Sequence, residues 1–156
     1  MTEAASIVHR FYDALKAKDF KTIENLYHEQ VVFNDPVFSH LNHRSVLAMW
    51  KMLLENDNSL FIEYHSVKID RQVATCIWEA RYNFSKKQLP VHNVIHTKMI
   101  LKDERILKHT DSFALWKWSK MALGFPGKLF GWTPLMQNRI RSTARRALEK
   151  YMQKRL

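Results

Sequence analysis

The sequence predicts one cone-shaped α+β domain, in which helices come first and a curved antiparallel sheet follows, around an apolar pocket near Asp35. Helical spacing of apolar residues dominates the first third of the chain, and strict alternation replaces it after residue 60. At 156 residues, the chain is long enough for one hydrophobic core. Its hydrophobic fraction of 46% provides the apolar surface that such a core needs.

Three helices are predicted before residue 60. The first covers about residues 4–17, and the second begins at Asp19, whose side chain is a good N-cap. The third begins around residues 43–45 and ends at Asn56-Asp57-Asn58. Their predicted buried faces are Ile7, Val8, Phe11, Ala14 and Leu15; Phe20, Ile23, Leu26 and Tyr27; and Val46, Met49, Trp50, Leu53 and Leu54.

Strands make up the middle of the chain. A short apolar run, 31–33, leads to Asn34-Asp35-Pro36, and the proline places Asp35 at a strand end or turn. Four further strands are predicted at residues 60–69, 72–84, 91–101 and 105–116, with short polar turns that indicate antiparallel hairpins. In the second of these four, alternate residues from Cys76 to Phe84 form one apolar face.

The last quarter of the chain differs in charge. Residues 1–115 hold 15 Lys and Arg against 14 Asp and Glu, whereas residues 116–156 hold 10 against Glu149 alone. A final helix is predicted from about residue 135 to residue 152. We divide the chain into a pocket domain, 1–115, and a basic, aromatic-rich extension, 116–156, packed on the same domain. The basic helix could be a solvated surface, contact anionic lipid or nucleic acid, or cap a partner subunit's pocket.

Composition excludes several classes of protein. The single cysteine, Cys76, cannot form an intrachain disulfide, and the N-terminus lacks a charged start followed by a long apolar run. No window has the roughly 18 consecutive apolar residues of a membrane span. We therefore expect a cytoplasmic protein. Specific nucleic-acid readout is not expected, because the basic residues are not spread over a groove-reading element with interleaved aromatics.

Three short motifs occur in an informative order. Residues 8–20 read VHRFYDALKAKDF, residues 33–37 read FNDPV, and residues 106–113 read ILKHTDSF. Together they resemble the nuclear transport factor 2-like superfamily, especially its SnoaL-like and ketosteroid-isomerase-like branches, over residues 4–115. The segment from Trp116 to Pro134 is similar to an extension in some bacterial members. The resemblance implies a cystatin-like fold and a homodimer formed through the outer face of the sheet.

The resemblance also implies an acid–base site. Asp35 matches the isomerase base, and Asp111 matches an acid that donates a proton in related epoxide hydrolases and cyclases. Phe11 stands where the isomerase has its tyrosine, with Tyr12 next to it. His109 lies two residues from Asp111 on the same strand face, and His96 is predicted on the neighbouring strand, about 5 Å away. The catalytic candidates are therefore Asp35, Asp111, His109 and Tyr12.

The pocket is expected to bind a small apolar molecule. The candidate substrate-binding residues are Phe11, Trp50, Trp78, Tyr82, His96 and Phe113. No metal or other cofactor is expected, because no clustered Cys/His spacing occurs. Two functions remain open: an isomerase, cyclase or hydrolase that transfers protons, or a noncatalytic module that binds a hydrophobic ligand or a protein. Structural ion pairing of Asp111 with Glu79 and Arg81 is the alternative to a catalytic role.

Overall fold

Three helices and one strand precede the main part of the sheet in the computed structural model, which describes residues 1–155. The elements are α1 (Glu3–Ala17), α2 (Phe20–Leu26), β1 (Tyr27–Asn34), α3 (His43–Leu54), β2 (Phe61–Asp70), β3 (Val73–Phe84), β4 (Leu89–Lys102), β5 (Arg105–Ser112), α4 (Leu115–Ala122), α5 (Phe125–Phe130) and α6 (Pro134–Lys154). The predicted α+β class, with helices packed on a curved sheet, is confirmed. The Asp19 carboxylate accepts the Thr22 N–H at 3.1 Å, so the predicted N-cap of α2 is also confirmed.

The five strands form one sheet in the order β1-β5-β4-β3-β2. The three hairpin pairs are antiparallel, as predicted, but β1 runs parallel to β5. The predicted antiparallel arrangement therefore holds for β2 to β5 and does not extend to the edge formed by β1. Tyr27 was assigned to the second helix, yet its φ of −81° and ψ of 134° are extended and it begins β1. This early start gives β1 eight residues and carries it alongside β5.

One face of the sheet packs on the helices. In β3, Cys76, Trp78 and Ala80 are buried while Thr75 and Arg81 are exposed, which confirms the predicted division of that strand. In β4, the inward residues are Val91, Asn93, Ile95, Thr97, Met99 and Leu101. Because side chains alternate along a strand, the inner face of the sheet and the helices α1 and α3 enclose the core.

The C-terminal segment folds back over the domain. The last strand ends at Ser112, not near residue 116 as predicted, because Leu115, Ser119 and Ala122 are buried at helical spacing in α4. The helix α6 packs along α3, where the Tyr151 hydroxyl donates to the Glu55 carboxylate at 2.6 Å. Of the helices in residues 1–155, none is both long and apolar enough to span a membrane.

Candidate functional site

A cavity of about 660 Å³ lies between the inner face of the sheet, α3 and α6. Its lining is mainly apolar and aromatic, and its size is in the range of sites for drug-sized ligands. The sheet and α3 contribute Trp50, Trp78, Tyr82, Ile95 and Phe113, and the C-terminal segment contributes Trp118, Leu123, Met136, Ile140 and Ala144. Three carboxyl groups also line it: those of Asp35 and Asp111, and that of Asp57, whose Oδ1 accepts the backbone N–H and the hydroxyl of Ser59 in a surface turn.

Asp35 is held by the turn that follows β1. Its Oδ1 accepts the backbone N–H groups of Val37 at 2.7 Å and Phe38 at 2.6 Å. This is the local turn geometry that Asn-Asp-Pro favours. Arg141 of α6 donates from Nε to the Pro36 carbonyl at 2.8 Å, which ties the turn to the helix over the cavity. The sequence therefore fixes the carboxyl locally, and α6 fixes the turn.

Asp111 lies inside the domain, with 4% of its surface exposed. The Thr97 hydroxyl donates to its Oδ1 at 2.6 Å, and the Tyr12 hydroxyl donates to Thr97 Oγ1 at 3.1 Å. Thr97 is opposite Asp111 in the β4–β5 register, so strand pairing creates the contact. Tyr12 is thus connected to Asp111 through Thr97.

A second arm reaches the same oxygen through His109. His109 Nε2 lies 3.0 Å from Asp111 Oδ1, and its Nδ1 lies 2.8 Å from the Tyr27 hydroxyl. Trp50 Nε1–H donates to that hydroxyl at 3.0 Å. Because the Tyr27 hydroxyl oxygen already accepts from Trp50, the Tyr27 hydroxyl can donate its own proton to His109 Nδ1. The imidazole proton is then on Nε2, from which it is donated to Asp111. Both arms then donate to Asp111 Oδ1.

Asp35 and Asp111 have different surroundings. Burial raises the pKa of Asp35 to about 6; the backbone N–H groups of Phe38 and Val37 oppose that rise, and the negative charge of Asp111 adds to it. Within residues 1–155, no hydrogen bond uses the Oδ2 atom of either aspartate. Each carboxyl therefore has one oxygen free for a ligand.

The structure brings together most of the predicted site residues. Trp50, Trp78, Tyr82 and Phe113 line the cavity with Asp35 and Asp111. The predicted placement of Phe11 in the pocket is wrong: it is fully buried behind the cavity, and its ring packs on the ring of His109 with centroids 5.4 Å apart. Tyr12 and His109 are also buried outside the lining, so they can act on a ligand only through Asp111.

His96 does not belong to the site. It is exposed on the outer face of β4 and pairs with Ser112, while His109 pairs with Met99, so the expected contact between the two histidines is wrong. The inward position beside it holds Thr97. Glu79 also lies on the outer face, where it contacts His92 at 2.7 Å and His65 at 3.1 Å, whereas Asp111 is buried on the inner side of the sheet. A network joining these two carboxylates is therefore excluded.

Sequence reasoning missed several residues of the site. Thr97 and Tyr27 had no assigned role. In β4, the polar residues His92, His96 and Lys98 all lie on the same face of the strand, so Thr97 lies on the opposite, inner face. No sequence pattern predicted that residues of α6 line the cavity, because only tertiary packing brings that helix over the sheet.

Cys76 is buried, and burial raises the pKa of its thiol to about 11, so the thiol is protonated at neutral pH.

We expect Thr97→Val to lower the free energy of unfolding by about 1–3 kcal/mol, because Asp111 loses a donor and the Tyr12 hydroxyl loses its acceptor inside the protein. The side chain keeps its shape, so the loss reflects hydrogen bonding. Chemical denaturation measures the change. Thr75→Val, at an exposed position of β3, is the matched control and should change stability by less than about 0.5 kcal/mol. Equal stability of the two variants would contradict the role of Thr97.

Comparisons with known proteins agree on one fold. The sequence model of the SnoaL-like domain matches residues 8–109. An LEH-like epoxide hydrolase of M. tuberculosis is 20% identical with a TM-score of 0.64, over 85% of this chain and 94% of that one. A candidate SnoaL-like polyketide cyclase from Shewanella putrefaciens CN-32 is 15% identical with a TM-score of 0.67, over 78% and 96%. No curated protein matches the sequence. At these identities the likeness shows the fold alone.

Proposed function

Because this chain belongs to the SnoaL-like domain family, we propose that its cavity catalyses proton transfer on a small apolar substrate. The observation that carries this proposal is the pair of carboxyls, Asp35 and Asp111, on one mainly apolar cavity. Each presents one oxygen without a hydrogen bond from residues 1–155. A substrate between them can lose a proton to one carboxyl and receive one from the other.

We assign the base to Asp111. Its Oδ1 receives two hydrogen bonds, from Thr97 and His109, which orient the carboxyl group and leave Oδ2 to accept the substrate proton. Tyr12 on one arm and Tyr27 on the other are buried outside the cavity lining, which keeps the acceptor geometry fixed. His109 is a positioning residue in this scheme, because it touches Asp111 and not the cavity.

We assign the acid to Asp35. Its pKa of about 6 leaves part of the group protonated near neutral pH, as a general acid requires. Two carboxyls on one site take up roles according to their surroundings, and here the negative charge of Asp111 adds to the raised pKa of Asp35 and so favours the proton on Asp35. These roles are the reverse of those that the family resemblance implies.

The substrate class follows from the lining. Aromatic rings of Trp50, Trp78, Tyr82, Phe113 and Trp118 surround the space, and Asn93 adds a buried amide. A carboxylate base removes a proton from carbon most readily next to a carbonyl, whose oxygen can take the proton of Asp35. An apolar ring ketone therefore fits: Asp111 takes the C–H proton, Asp35 protonates the oxygen, and the enol then isomerises or cyclises. This chemistry is consistent with the cyclase names of structural neighbours.

Hydrogen–deuterium exchange tests this proposal without knowledge of the natural substrate. A panel of apolar aromatic and fused-ring ketones is incubated with the protein in D₂O, and mass spectrometry follows deuterium uptake next to the carbonyl. We expect catalysed exchange whose kcat/KM falls about tenfold per pH unit above pH about 6, because Asp35 loses its proton there.

The opposite pH dependence, a rate that rises through pH 6, would reverse the two roles and make Asp35 the base. If no ketone exchanges while the ketones still bind with equal affinity to the wild type, Asp35→Asn and Asp111→Asn, the noncatalytic binding module is the better description.

A further inference from the structure

The C-terminal segment exposes an unusual amount of apolar surface. Of the 11 large hydrophobic residues exposed in the described part of the chain, six lie between residues 116 and 135. Phe125 is 71% exposed, Trp132 64% and Leu135 83%. We call the six residues the aromatic edge; they are Trp116, Phe125, Leu129, Phe130, Trp132 and Leu135. Isolated exposed hydrophobic residues are normal on proteins, but a group of this kind marks a binding surface.

The aromatic edge is held in place by the fold. Trp132 Nε1–H donates to the Leu129 carbonyl at 3.0 Å, and the Thr133 hydroxyl donates to the Phe130 carbonyl at 2.6 Å. Gly131 lies so close to α4 that an added Cβ would be 2.8 Å from Ser119 Cβ and 3.3 Å from the Trp116 ring. Exposure of these rings is therefore built into the packing of α4 and α5.

Positive charge surrounds the aromatic edge. No Asp or Glu occurs between residues 112 and 148, whereas Lys117, Lys128 and Arg139 are exposed in this stretch. Lys120 Nζ lies 4.2 Å from the centroid of the Trp116 ring. Exposed aromatic rings with lysines beside them are the composition of surfaces that insert into the headgroup region of anionic bilayers.

The same segment borders the cavity. Leu123 lines the cavity just before the stretch from Phe125 to Leu135, and Met136, Arg139 and Ile140 line it just after that stretch. Arg139, Thr143 and Ala147 line the cavity and are also exposed, so the cavity reaches the surface along α6. A surface that binds the aromatic edge would therefore lie next to the opening of the cavity.

We propose that the aromatic edge docks the protein on an anionic lipid bilayer, with the cavity opening beside the membrane surface. A second copy of the chain is less suitable, because a symmetric contact would place two positively charged segments against each other. The bilayer satisfies both halves of the surface: acyl chains cover the rings, and phosphate groups pair with the lysines. This docking requires no catalytic activity and stands apart from the proton-transfer proposal.

Vesicle sedimentation tests the docking. Full-length protein is mixed with vesicles of equal parts phosphatidylglycerol and phosphatidylcholine, or of phosphatidylcholine alone, at low and high salt. We expect binding to the anionic vesicles only, weakened by salt. The double variant Phe130→Ser/Trp132→Ser should reduce the partition coefficient about tenfold or more, because it removes two rings that would be buried. Lys117→Gln and Lys128→Gln should each reduce it about fivefold.

The matched control is Phe61→Ser, which removes a ring 52% exposed on β2 that is not part of the aromatic edge, and it should leave vesicle binding unchanged. Thermal melting checks that every variant is folded, and sedimentation velocity without lipid reports the oligomer. Equal binding to both vesicle types, or equal binding by the double variant, would overturn the proposal. The proposal would also be overturned if the wild type did not bind vesicles but formed a dimer, and the double variant were monomeric. The aromatic edge would then be an interface between two copies of the chain.

Discussion

Replacing Asp111 by asparagine is expected to lower the ketone exchange rate by about 10²–10⁴-fold. The amide oxygen can still accept from Thr97 and His109, so the hydrogen-bond arrangement is kept. The amide cannot take up the substrate proton, however. The loss should therefore appear in kcat while the affinity for bound ketone, measured by calorimetry, changes little.

Asp70→Asn is the matched control, since Asp70 is an exposed aspartate at the end of β2. It should exchange ketones at the wild-type rate. A second variant, His109→Gln, separates chemistry from positioning: a residue that only orients Asp111 should reduce the rate less than Asp111→Asn does. Should Asp111→Asn keep more than about half of the wild-type rate, the assignment of the base would be wrong.

Replacing Asp35 by asparagine is expected to stabilise the protein at neutral pH while it removes catalysis. The asparagine oxygen can still accept the N–H groups of Val37 and Phe38, but the buried negative charge is gone. A pKa raised from 3.8 to about 6 corresponds to a destabilisation on the order of 2–3 kcal/mol when the group is ionised. We therefore expect a higher melting temperature for the variant at pH 7.

The pH dependence fixes the sign of this effect. Since the folded state holds the Asp35 proton more tightly than the unfolded state, wild-type stability relative to the variant falls between pH about 4 and about 6 and then levels off. Below pH about 4 the two proteins should be equally stable in this respect. Denaturant melts across this range measure the difference.

Asp19 provides the opposite case. Hydrogen bonds from Thr22 lower its pKa, so its contribution is lost as the pH falls. Asp19→Asn should therefore not reproduce the gain of Asp35→Asn at neutral pH. A variant Asp35→Asn that is less stable than the wild type at pH 7 would show that the carboxylate has a structural role in its turn. Selection for a destabilising group in a cavity is expected where the group is needed for activity.

Local sequence patterns predicted part of the candidate site. Asp35 was placed at a strand end by the proline that follows it, and this is where it lies. His109 and Asp111 were placed on one strand face by their spacing, and they are in contact at 3.0 Å. His96 was assigned to the wrong face of β4. The other polar residues of that strand, His92 and Lys98, lie on the same face as His96 and indicate that this face is the outer one.

The sequence by itself determined the order of elements from α1 to β5, the apolar face of β3, and the basic character of the last 41 residues, because these depend on periodicity and charge along the chain. Only the tertiary structure decided the parallel pairing of β1 with β5, the contacts of Thr97 and Tyr27 behind Asp111, and the position of α6 over the cavity. Each of these joins residues far apart in sequence. Such contacts depend on strand register and helix packing, which local patterns do not specify.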